Sequence, residues 1–138
     1  MHMLLGQARY VLFLLTALGC ALGGVTRHLC TMGITKLLGD RFPWGTLSVN
    51  LAGSFLLGGL LGAGSLSGAG QFPSAPMHAF LGLGFCGGLT TFSTFSLQNL
   101  SLLSKRGKGA LAINILASVG LCLLVAAAGY ALSERWVA

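Results

Sequence analysis

Three apolar stretches of the sequence each carry a single file of uncharged, hydrogen-bonding side chains. Thr46, Asn50 and Ser54 follow one another at i, i+4 and i+8, and Asn114, Ser118 and Cys122 repeat that spacing. Thr91, Thr94 and Gln98 form a third file, with Phe92 and Phe95 beside it at i, i+3. On helices such spacings put each file on one face. Hydroxyls and amides are neutral donors, and a file of them can replace the water around a small anion, whose dehydration costs far more than one contact returns. Phenyl rings can take part through their edges, the positive part of the ring quadrupole. The same hydroxyls also serve as glue between membrane helices, and paired phenylalanines as core. Asn50 is the hardest to leave idle, because a buried amide has two donors and an acceptor to satisfy.

No carboxylate lies in these stretches. The two acids, Asp40 and Glu134, fall in a connection and after the last apolar run. A proton-coupled cation exporter needs an acid inside the membrane, so their placement argues against that class. No paired aspartate, HExxH motif or Ser–His arrangement supports an enzyme. His2, His28 and His78 share no metal-ligand spacing, and Cys20, Cys30, Cys86 and Cys122 read as small buried hydrophobes. Arg27 closes the first apolar run, either snorkelling to headgroups or lining the entrance for an anion.

The elements that must position these files are membrane spans. Of 138 residues, 54% are hydrophobic and 7% charged, against about 25% charged in soluble domains. Lipid is the natural solvent for such a chain, and the pattern predicts an all-α integral membrane protein of one domain, 1–138. Four transmembrane helices are expected at about 8–29, 44–63, 77–103 and 109–132. Pro43 and Trp44 open the second, where proline sacrifices no internal hydrogen bond. Thr31 to Phe42 reads as a polar connection and Gly64 to Pro76 as an uncharged Gly/Ser/Pro loop. Gly19/Gly23, Gly58/Gly62 and Gly84/Gly88 are GxxxG pairs suited to close helix approach. Gly87-Gly88, just before a hydroxyl-rich run, is expected either to break the third span mid-membrane or to pack tightly.

The net charge of +6 comes from residues clustered between the apolar runs, as headgroup-facing loops require, and no nucleic-acid motif accompanies it. The connections after the first and third spans carry six basic residues (Arg27, Lys36, Arg41, Lys105, Arg106, Lys108) against two elsewhere, Arg9 and Arg135. The positive-inside rule then places both termini outside the cytoplasm. Tyr10, Phe42, Trp44, Tyr130 and Trp136 stand near span ends, as an interfacial aromatic belt does.

Two segments, Phe42-Pro-Trp-Gly-Thr-Leu-Ser-Val-Asn50-Leu-Ala-Gly-Ser-Phe55 and Gly84-Phe-Cys-Gly-Gly-Leu-Thr-Thr-Phe-Ser-Thr-Phe-Ser96, resemble signature segments of CrcB/Fluc fluoride channels. The spacing agrees with that family from about Leu12 to Leu132. The resemblance implies an antiparallel, dual-topology dimer in the cell (inner) membrane, with two pores at its interface that passively release cytoplasmic fluoride. It implies Phe92 and Phe95 as pore-lining rings, Asn50 as the pore asparagine, Thr46 on its polar track, and Asn114 and Ser118 as the fourth-span polar positions. It places Arg27 near the aqueous vestibule. It also implies a structural sodium ion, not transported, held by the backbone carbonyls of Gly87 and Thr90 from both subunits. The chain departs from the family pattern at Gln98, where members often have glutamate, and at Cys122, where some have serine. Its unbalanced loop charges suit dual insertion poorly, so pairing with an oppositely oriented homologue stands beside the homodimer. The competing functions are a fluoride/proton or other small-solute secondary exporter, and a membrane scaffold that transports nothing.

Overall fold

The computed structural model describes residues 2–66 and 74–137, and every regular element among them is helical. In chain order these are α1 (His2–Leu38), α2 (Trp44–Leu66), α3 (Ala75–Met77), a π-helical stretch (His78–Cys86), α4 (Gly87–Leu89) and α5 (Phe92–Val137). Most of the expected loop before Pro76 falls on 67–73, outside the described residues.

Large apolar side chains face outward. Phe13, Leu83 and Leu116 are each more than 70% exposed, an arrangement that water would penalise and lipid does not. Three stretches, Gly6–Leu38, Trp44–Gly64 and Ala75–Trp136, are long and apolar enough to cross a membrane. The last has 62 residues, roughly three times what one crossing needs, and it is not straight. Gly107 has φ 84° and ψ −178° inside α5, a conformation that only glycine adopts without strain. Across it, Asn114 Nδ2 donates to Asn99 Oδ1 at 2.7 Å, although the two are 15 positions apart. That separation would be about 22 Å along a straight helix. The two limbs of α5, 92–106 and 108–137, therefore fold back on one another, with Lys105, Arg106 and Lys108 exposed at the turn.

Two glycine seams join the helices. Along α1, Gly19 and Gly23 lie against the backbone of Phe80 and Phe85, while Gly84 and Gly88 lie against Thr16 and Cys20. Along α2, Gly58 meets the backbone of Ala126 and Gly62 that of Tyr130. A Cβ at Gly19, Gly23, Gly58, Gly62 or Gly88 would fall on a backbone carbonyl. Both contacts on α2 have the same offset, 126 against 58 and 130 against 62, so α2 and the second limb of α5 run parallel.

One helix runs past its expected span, and one pair of alternatives is resolved. The first helix does not stop near Leu29: α1 continues through the expected polar connection and ends at Leu38. Its terminator is Gly39, at φ 78°, whose N–H bonds Thr35 O at 2.9 Å. Polar residues mark where lipid ends, and a helix can leave lipid without unwinding. At about 55 Å it is far longer than the hydrocarbon core. In the third span, tight packing holds for Gly88, and the expected break falls just past the glycine pair. Gly87 is helical (φ −63°, ψ −39°), and the chain becomes extended at Thr90 (φ −81°, ψ 157°). Gly88 serves close approach to Cys20 instead.

Substituting Gly58→Ala or Gly88→Ala should lower the thermal midpoint in detergent by the equivalent of about 1–3 kcal/mol, because backbone must move to admit the methyl group. Gly24→Ala and Gly120→Ala, where nothing stands within 4 Å, should leave it unchanged.

Candidate functional site

The break at Thr90–Thr91 owes its form to partners on three sides. Thr90 N–H bonds Cys86 O at 3.0 Å, and the Thr90 hydroxyl donates to the same carbonyl. The Thr90 carbonyl accepts from Arg27 Nη1 of α1 at 3.2 Å. Asn50, on α2, grips Thr91 twice: its Oδ1 accepts from Thr91 N–H at 2.8 Å, and its Nδ2 donates to Thr91 O at 3.3 Å. All four backbone groups of the two threonines are thereby paired, as burial in a dry environment demands. Thr91 then starts α5 as its cap, its Oγ1 accepting from Thr94 N–H at 3.2 Å. Gly53 of α2 leaves room for the Thr90 methyl group.

An open groove of about 540 Å³ runs past this break. Asn50 and Ser54 of α2, Ser118 and Cys122 of the second α5 limb, and Phe92 and Phe95 at the start of α5 all line it, with Gly87 and Thr90. The two rings lie 5.7 Å apart at 48°, and Phe92 is 78% exposed. Among the described residues, no carboxylate lines the groove. The positive end of the α5 dipole opens into it at Phe92. Asn50 spends its oxygen and one N–H on Thr91, so one amide N–H remains to offer to the groove.

Thr46 and Asn114 are not on the groove wall. They are 2% and 0% exposed. The offset of the glycine seam, carried back along the parallel helices, sets Thr46 against Asn114, Asn50 against Ser118 and Ser54 against Cys122. The files on α2 and on the second α5 limb therefore face one another. Asn114 is tied to Asn99, a residue the spacing argument missed because it belongs to no file. Its signal is positional: Asn99 and Asn114 lie almost symmetrically about Gly107. Thr46 Oγ1, Gln98 Oε1 and Asn114 Oδ1 are buried and have no hydrogen-bond partner among the described residues. Gln98 leaves the third file for a second cavity of about 130 Å³, shared with Thr35, Asp40 and Ser101. Arg27 is not at a helix end; it lies within α1, half-buried against the break.

Asn50→Ala should destabilise the protein by about 1–3 kcal/mol, since it leaves the Thr91 N–H at the break unpaired. Ser54→Ala on the same face should cost far less, and thermal unfolding in detergent compares the two.

Comparison with known proteins places this geometry. A model of the family described as "CrcB-like protein, Camphor Resistance (CrcB)" matches residues 14–130. A protein of Shewanella frigidimarina named fluoride-specific ion channel FluC is 43% identical over 112 residues, covering 81% of this chain and 87% of the relative. One of the same name from Methylobacterium radiotolerans is 39% identical over 124 residues, covering 89% and 85%. Another, from Paramagnetospirillum magneticum, is 41% identical over 118 residues, covering 86% and 91%. With the matched region holding both the break and the facing polar files, the chain belongs to the CrcB family.

Proposed function

We propose that this multi-pass membrane protein is a passive, fluoride-specific ion channel, with the groove as one wall of its conduction path. The observation that carries the reading is a groove without carboxylates where an amide, a hydroxyl and two phenyl rings converge on a helix break, in a family whose relatives are named fluoride-specific ion channels. A fluoride ion entering it exchanges water for the free Asn50 N–H, the Ser118 hydroxyl and ring edges, with the α5 dipole adding positive potential. Cys122 offers a weaker donor than serine at the far end of that file. With no acid on the wall to pick up and release a proton, flux follows the fluoride gradient alone.

The reading takes four crossings: α1, α2, the broken third helix, and the second limb of α5. It also takes a partner. The groove is open along one side, and a second copy in the opposite orientation would close it and cover Phe92. With Arg27 inside α1 against the break, the imbalance of basic residues is five to two; it still favours one orientation, so an oppositely inserted homologue is the alternative partner. The carbonyls of Gly87 and Thr90 suit a hard monovalent cation such as sodium. Gly87 stands in open space, and a carbonyl has two lone pairs, so Thr90 can accept from Arg27 and still face an ion. Two copies would supply four such oxygens and hold the dimer together around the ion.

Purified protein in liposomes should pass fluoride rapidly and chloride hardly at all, with no proton gradient required. Equal chloride flux, or flux that needs a proton gradient, overturns the reading. Phe92→Ile and Phe95→Ile should each cut fluoride flux by about tenfold or more, a barrier increase of ~1.4 kcal/mol, while the oligomer persists in size-exclusion chromatography. Exchanging sodium for N-methylglucamine should lower the dimer fraction, and an unchanged fraction counts against the ion.

A further inference from the structure

Thr90 O and Thr91 N–H belong to one peptide unit. In a trans peptide these two groups point in opposite directions, and here each is taken by a different helix. Arg27 of α1 donates to the oxygen at 3.2 Å, and Asn50 of α2 accepts from the N–H at 2.8 Å. The peptide plane is thus clamped edge to edge between α1 and α2. Nothing in its own helix holds it, since Thr90 is extended at ψ 157°. The very next residue is Phe92, and the orientation of this plane sets the direction in which α5 departs and where the Phe92 and Phe95 rings stand.

We infer that Arg27 is a positioning residue that acts through the Thr90 carbonyl, forming with Asn50 a two-jawed clamp on the 90–91 peptide. This deepens the fluoride-channel reading and rests on it for its effect on flux. Arg27 suits the task because guanidinium keeps its charge when half-buried and forms strong, charge-assisted bonds to neutral oxygen. A purely attractive role, gathering anions at an entrance, would ask only for a charge nearby. Clamping asks for a donor at this one oxygen. Without Arg27 the carbonyl loses its outer partner, the plane can rotate about the single remaining jaw, and the rings lose their fixed place.

The two roles separate in a double-mutant cycle of Arg27→Met and Asn50→Ala, read by thermal midpoint and by liposome flux across a fluoride series. For a clamp, Arg27→Met lowers flux by about tenfold, the worth of one charge-assisted hydrogen bond, and saturating fluoride does not restore it. The cycle is then non-additive, because both jaws hold the same peptide: Arg27→Met costs much less thermal stability in the Asn50→Ala background than in wild type. Recovery of flux at saturating fluoride, or the same stability loss in both backgrounds, overturns the clamp. If Arg27→Met does not fold, Arg27→Gln, neutral and too short to reach Thr90, is read the same way. The stability cycle needs no transport, so a wild-type protein that passes no fluoride sinks the channel reading and leaves the clamp to be judged by its midpoints.

Discussion

A peptide group facing hydrocarbon has no water to turn to, so an interruption in a membrane helix must find its hydrogen bonds within the protein. That constraint organises this molecule. The break at Thr90–Thr91 puts its backbone groups into an environment where each orphan would cost several kcal/mol by order of magnitude. The protein answers with side chains from two other helices, Arg27 and Asn50, and with the threonines' own hydroxyls. α1 and α2 must come close to the third helix for those side chains to reach, and the glycines of α1 and Gly53 of α2 allow it. The groove exists because the break does: a continuous helix would place neither the α5 N-terminus nor Phe92 where they are.

The sequence made some of this architecture legible and hid the rest for identifiable reasons. Composition and apolar runs disclosed a membrane protein, because hydropathy reports the solvent directly. Spacing disclosed the files on α2 and on the second α5 limb, and the structure sets those files face to face. α1 outruns the expected first span because Thr31 to Leu38 holds no proline and its glycine, Gly33, stays helical, so the helix runs on to Gly39. Which of the two alternatives held for the glycine pair was settled by tertiary contact. Two adjacent glycines look weak in isolation, but Gly88 is held in the helix by contact with Cys20. Thr90 and Thr91 open because their partners wait 63 and 41 positions away. No local pattern carries that information, and the same holds for Asn99, whose partner is fixed only once Gly107 turns the chain.

Asn50 shows why residue type and role need separating. Spacing leaves it open between helix glue and an ion contact, and only the resemblance implies the ion contact. The structure gives most of its amide to backbone, leaving one N–H unspent. One side chain thereby supports the break and keeps a spare donor on the groove wall, and the support fixes the direction in which that donor points. A hydroxyl could not substitute, since its donor and acceptor share one atom, whereas the amide holds them apart to reach both Thr91 N–H and Thr91 C=O.

The glycine seam between α2 and the second limb of α5 has a consequence some distance away from itself. Gly58 and Gly62 bring two backbones into contact, so the gap between these helices is set by main chain, which cannot adjust as side chains do. About 12 Å further along α2, by helical rise, the same two helices present Asn50 and Ser118 to the groove. The seam therefore works as the fixed jaw of a caliper whose measuring tips are the polar files. The width of the groove is written in glycines that form no part of its wall.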